Sequence, residues 1–165
     1  MSRQLTRLPE VVVMLDNASH PASSALAATV LRVSLGVVFL AHAGAKWFIF
    51  TLEGTARFFV AHGFPGWTAT PVFAMELLGG LALIAGLRVR LVSLALLPVL
   101  LGAFASHASL GWMFTNPGGG WEYVAFLIMA LVTQVLLGSG AFAVDGALAR
   151  NVSVNHGSVA QTSTS

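Results

Sequence analysis

Residues 71–87 read PVFAMELLGGLALIAGL, an apolar run with a single carboxylate, Glu76, inside it. About 20 apolar residues cross the hydrocarbon core of a bilayer, so this run reads as a membrane-spanning segment. Three more stretches have the same character: residues 25–50, 91–110 and 121–137. Lipid supplies no water to backbone N–H and C=O groups, so each stretch must be helical. The expected fold is therefore all-α, a four-helix transmembrane bundle with cytoplasmic N- and C-termini.

Composition points the same way. Of 165 residues, 56% are hydrophobic and 8% charged; soluble domains carry about 25% charged residues. Mean hydropathy is +0.84. So little polar sequence leaves no room for a second, soluble domain. The chain divides into a cytoplasmic N-terminal segment, 1–24, a four-span membrane domain, 25–147, and a disordered polar tail, 148–165. The apolar run at residues 11–15 is too short for a signal-peptide core. Cysteine is absent, which excludes disulfides, thiolate metal sites, Fe–S clusters and covalently attached haem. The net charge of +2 comes without any Lys/Arg run, so nucleic-acid binding has no support.

Orientation follows the Lys/Arg bias of the flanks. With four crossings, one side holds Arg3, Arg7, Arg88, Arg90 and Arg150, and the other Lys46 and Arg57. That places both termini in the cytoplasm, as for a multi-pass protein of a bacterial inner membrane. Trp47, Trp67, Trp112 and Trp121 all fall on the outer side. They can anchor at headgroup level, and some can wall an outer pocket.

Ionisable residues inside spans are expensive, roughly 2.5–3.5 kcal/mol each at mid-helix on insertion scales, so they are paired or used. Arg32, His42 and Lys46 lie within about 80° of one another on the first helix. The opposite face, with Val33, Val37 and Leu40, should meet lipid. Counted from the span ends, Arg32 and Glu76 lie about one turn apart in height, close enough to pair, with Lys46 approaching Glu76 from outside. His42, Lys46, His107 and Glu122 are expected to ring an outer vestibule, Glu76 beneath them and Arg32 deeper. Such a set can relay protons or can simply cross-link helices. Two histidines on different spans admit bis-His haem, but no second pair supports it and haem is disfavoured. His42, His107 and Glu122 have suitable donor atoms for a metal without a ligand spacing, and no metal site is assigned. Gly36, Ala41, Ala45, Gly79, Gly80, Gly102 and Ala105 are candidates for close helix contacts, and Pro98 for a kink. Glu122, at a helix start, also suits the helix dipole.

Several short motifs occur in a telling order. Arg32-x3-Gly36 and His42-Ala43-Gly44-Ala45-Lys46 come first. Glu76-Leu77-Leu78-Gly79-Gly80 and Gly86-Leu87-Arg88-Val89-Arg90 follow. Then come His107, the run NPGGGWEY at 116–123, and Gly138-Ser139-Gly140 leading to Asp145. In this order and spacing, over about residues 26–147, the chain resembles the DoxX family of small four-span membrane proteins. The resemblance implies a link to oxidoreductases. Family members act as the membrane part of a thiosulfate:quinone oxidoreductase or as membrane partners of oxidoreductases in oxidative stress. More distant relatives act as membrane chaperones or cargo receptors.

Two readings of function compete, with a third behind them. The first is the integral membrane subunit of a quinone-linked oxidoreductase system, with quinone as the cofactor. Its catalytic candidates are His42, Glu76, His107 and Glu122, and its cofactor-binding candidates Arg32, Lys46, Trp121 and Tyr123. His and Glu can donate protons to a quinone, and aromatic rings can form a flat slot for it. The chain has no electron carrier, so electrons come from a partner oxidoreductase subunit or a direct reductant. The second is a non-catalytic membrane scaffold or chaperone for a partner protein. A small transporter is third, since four short spans enclose little space unless the chain forms a homo-oligomer.

Overall fold

Glycine and proline divide the apolar chain into helices. The computed structural model describes residues 21–146. The expected N-terminal segment lies outside the described residues up to residue 20, and so does the whole expected tail. Helix α1 spans Pro21–Gly44 and widens into a π-helical turn, Ala45–Ile49. Phe50 N–H closes that turn on the Ala45 carbonyl at 2.9 Å. Thr51 then adopts a left-handed φ of 60°, which breaks the axis before a short helix, α2, Thr51–Ala61. A 3-10 turn at Gly66–Thr68 leads into α3, Ala69–Ala85. Helix α4, Val89–His107, passes through Pro98 without a break, and α5 is Glu122–Leu137. Every regular element among the described residues is helical.

The turn from α3 to α4 depends on Gly86. Its φ of 74° is left-handed, a region open to glycine at no steric penalty. A β-carbon there would also collide with the Arg32 guanidinium and with Ala143. The stretches Ala22–Ile49, Gly66–Ala85 and Val89–Leu110 are long and apolar enough to cross a membrane. Helix α5 is apolar but has 16 residues, about 24 Å at 1.5 Å per residue. That is shorter than a typical ~30 Å hydrocarbon core. By length alone there are three crossing helices, with α5 packed beside them.

Helix α1 packs chiefly on α3, and α4 on α5; α3 also meets α4, and α1 meets α5. Contacts therefore close in a ring. Each helix of the ring contributes to the core: Leu35 and Phe39 from α1, Leu83 from α3, Leu96 and Leu100 from α4, Leu127 and Leu131 from α5. The outside is equally apolar. Val30, Leu78, Leu94, Leu101 and Leu136 are all exposed on the helix exteriors. A soluble monomer rarely exposes so much contiguous apolar surface; lipid is the solvent that suits it.

Small residues set the register of α1 on α3. A β-carbon at Gly36 would come 2.8 Å from the Gly80 carbonyl, and one at Gly80 would come 2.9 Å from the Gly36 carbonyl. Gly79 faces the Leu96 side chain in the same way. The other expected contacts differ: Ala41 and Ala105 are exposed, and a β-carbon at Gly102 would meet nothing. Leu40 was expected to face lipid; it packs over Gly80 instead. The wide groove left by a glycine draws the leucine in from the lipid side.

Residues 138–145 lie across the end of the ring opposite α2. Ala141 N–H donates to the Ala25 carbonyl at 3.1 Å, and Asp145 N–H to the Gly86 carbonyl at 3.3 Å. The Thr29 hydroxyl lies 2.8 Å from the Ala141 carbonyl. This segment ties the start of α1 to the end of α3.

Candidate functional site

The π-turn at the end of α1 carries Lys46 inward. Its Nζ donates to Glu76 Oε1 at 2.8 Å. Both side chains are largely buried, 15% and 5% exposed. The second carboxylate oxygen, Glu76 Oε2, is buried without a hydrogen-bond partner. One turn before Lys46, His42 Nδ1 lies 2.8 Å from the Val38 carbonyl. A carbonyl only accepts, so Nδ1 carries the hydrogen and Nε2 is the open nitrogen. His107 repeats the arrangement on α4, with Nδ1 2.8 Å from the Ala103 carbonyl. Each ring is thus held through Nδ1 by its own helix. The His42 ring stacks on Tyr123 of α5, centroids 6.5 Å apart and planes 15° apart.

These groups border one cavity of about 1340 Å³. Its lining includes His42, Lys46, Glu76, Ser106, His107, Glu122 and Tyr123 among phenylalanines, valines and leucines. Ligand sites are commonly about 300–1,000 Å³ and largely apolar, with a few convergent polar groups. This one is larger and has the same makeup. Helix α2 closes one side with Thr55, Phe58 and Phe59.

The loop before α5 explains the glycine run in NPGGGWEY. Trp121 N–H donates to the Gly111 carbonyl and Glu122 N–H to the Trp112 carbonyl, both at 3.1 Å. These bonds bring residues 120–122 against 111–113, and a β-carbon on Gly120 would strike the Met113 and Trp112 carbonyls. The Glu122 carboxylate accepts the Phe114 N–H at 2.9 Å, so it clamps this loop while bordering the cavity. Trp121 packs edge-on against Trp112 at 4.6 Å and against Phe104 at 5.5 Å. Trp112 reaches the cavity lining and Trp121 does not.

Seven of the eight candidate side chains divide cleanly. His42, Lys46, Glu76, His107, Glu122 and Tyr123 share the cavity, whereas Trp121 supports its wall. Arg32, the eighth, is elsewhere. The expected Arg32–Glu76 contact does not form. Arg32 Nη1 donates to the Leu83 carbonyl at 3.1 Å and the Ile84 carbonyl at 3.3 Å, and Nη2 to the Ala141 carbonyl at 3.3 Å. The reason is register. With Gly36 facing Gly80, four residues back along α1 brings Arg32 level with Ile84, roughly 12 Å of helix rise from Glu76. Among the described residues no group of three or more His, Asp or Glu could hold a metal ion.

Helix α2 was missed in the sequence, and with it Thr55, Phe58 and Phe59. Its signal was present: Leu52, Thr55, Ala56 and Phe59, at helical period, are among its buried or half-buried positions. Its other face carries an exposed Glu53–Arg57 ion pair one turn apart. The Arg57 guanidinium holds the Glu53 carboxyl below its ordinary pKa.

Comparison with known proteins agrees with this architecture. Residues 27–109 match the model of the DoxX family; the NPGGGWEY loop and the 138–145 segment lie beyond that match. A Bacillus subtilis (strain 168) protein named "Putative oxidoreductase CatD" is 31% identical over 115 residues, 70% of this chain and 81% of that relative. No solved structure matches the chain. On the matched residues and the coverage of this relative, the chain belongs to the DoxX family.

Proposed function

We propose that this chain is the integral membrane subunit of a quinone-linked oxidoreductase system, in a bacterial inner membrane, with four crossings and both termini cytoplasmic. One observation carries the reading: a large, mostly aromatic and aliphatic cavity brings together two histidines, a Lys–Glu pair and a tyrosine from four helices. The relative's name is consistent with redox work.

The residues present fit a quinone. Aromatic and aliphatic side chains make a slot for a flat ring. When protonated, the open Nε2 of His42 or His107 can donate to a ring carbonyl. A quinone held there would supply two-electron, two-proton redox chemistry. The electrons come from a partner oxidoreductase subunit or a bound reductant of low potential. The protons come through side chains, and those at hand are His42, His107, Glu122 and Tyr123 at the cavity rim. Lys46 Nζ, hydrogen-bonded to Glu76, borders the same cavity, and an ammonium has further donors to offer a ring oxygen.

A scaffold reading has its own observation. Lys46–Glu76 and the carbonyl-bound Arg32 both link α1 to α3, as structural cross-links would. Mass spectrometry of the protein purified in mild detergent separates the two readings. Copurifying quinone supports the redox subunit. A partner protein without any redox group, and no quinone, supports the scaffold.

A further inference from the structure

At the end of the ring opposite the cavity lies a second, smaller pocket of about 590 Å³. It is lined by Arg88, Arg90, Leu91, Leu137, Ser139 and Asp145, with Val89 and Gly138 between them. We propose that this pocket binds the phosphate of an anionic glycerophospholipid.

Charge is the first argument. The ion pairs among the described residues are Lys46–Glu76 and Glu53–Arg57, so neither Arg88 nor Arg90 has a salt bridge there. Asp145 lines the same pocket, but it is already engaged. Its Oδ2 accepts the Ser139 hydroxyl at 3.3 Å. Among the described residues at this end, the guanidinium groups of Arg32, Arg88 and Arg90 stand against one carboxylate, Asp145. Two positive charges remain for an anion.

Placement is the second argument. The Arg90 side chain lies over the Gly138 backbone, where a β-carbon would come 3.2 Å from Nε. Arg88 leaves the α3–α4 turn in a left-handed conformation, φ 43°. The two arginines therefore stand at the mouth between α4 and the end of α5. A planar guanidinium fork matches phosphate oxygens in two-point contact.

Leucines decide between a lipid and a free phosphate. Leu91 and Leu137 line the pocket itself and are 59% and 44% exposed. Leu94 continues the exposed strip one turn further along α4. A soluble phosphate has no use for this wall, whereas acyl chains descending from a headgroup do. Basic pockets between membrane helices on the cytoplasmic side take anionic headgroups in this way. The site is independent of any redox chemistry in the larger cavity.

The test uses the full chain in neutral detergent, with native mass spectrometry and thermal shift as readouts. Dioctanoyl phosphatidylglycerol, dioctanoyl phosphatidylcholine and soluble glycerol phosphate are titrated separately. Phosphatidylglycerol should bind and stabilise, and the other two should not compete with it. The R88Q/R90Q double variant should bind phosphatidylglycerol about thirtyfold more weakly, while R57Q binds like the wild type. R90Q alone should give a smaller loss and serves if the double variant fails to fold. Equal binding of phosphatidylcholine would overturn the proposal. So would competition by glycerol phosphate at equal concentration, which marks a soluble phosphate site, or unchanged affinity in R88Q/R90Q or R90Q.

Discussion

Lys46 Nζ and Glu76 Oε1 are 2.8 Å apart in a largely buried pair, and the other carboxylate oxygen of Glu76 has no partner. The pair joins the π-turn of α1 to the second turn of α3. Removing one partner of a buried pair leaves an uncompensated charge and typically costs about 3–5 kcal/mol. Lys46→Met should lower thermal stability in detergent by that order. Lys46→Met with Glu76→Gln should recover most of the loss. A double variant no more stable than Lys46→Met alone would show that the pair is not the link.

The glycine contact between α1 and α3 can be tested against a glycine that faces open space. Gly80→Ala puts a methyl group 2.9 Å from the Gly36 carbonyl, whereas Gly102→Ala meets nothing within 4 Å. Overpacking a close contact costs typically 1–3 kcal/mol, about this much here. Gly80→Ala should unfold at lower denaturant concentration than wild type, and Gly102→Ala should unfold with it. Equal behaviour of the two variants would remove the register argument for Arg32.

Trp112 is the tryptophan on the cavity lining, which makes it an internal reporter. A quinone analogue added to the purified protein should quench tryptophan fluorescence. Trp112→Phe should abolish more of this quenching than Trp67→Phe, since Trp67 is exposed away from the lining. His107→Ala should weaken the apparent affinity more than Arg57→Gln. Quenching unchanged by Trp112→Phe would place the analogue outside the cavity.

The number of crossings has its own measurement. A reporter fused after Ser165 should be active only if it works in the cytoplasm, and a tag inserted near His62 should be reachable from outside spheroplasts. Both on one side would mean that α5 does not cross, in line with its 16 residues.

Much was legible in the chain before folding. Apolar runs at 71–87 and 91–110 had to be helices, because a bilayer leaves backbone groups no other partner. The bounds of α3, Ala69–Ala85, and of α5, Glu122–Leu137, fall within a few residues of the expected spans. Lys46 beside Glu76 was also legible, since buried opposite charges on neighbouring spans seek each other. Helix α2 was overlooked because its apolar period is short and broken by Glu53 and Arg57.

What the sequence could not settle was height. Residue spacing within a regular α-helix is set by covalent geometry, so the chain alone fixes the angle between Arg32 and His42 on α1, whereas the π-turn that carries Lys46 inward belongs to the folded structure. The height of one helix against the next is set by which side chains interlock. Gly36 on Gly80 is a tertiary contact, and it carried Arg32 away from Glu76 to the carbonyls of Leu83, Ile84 and Ala141. The cavity arose in the same way. His42, Glu76, His107 and Tyr123 are distant in the chain, and only packing of four helices, with α2 laid across their end, gives them a common space.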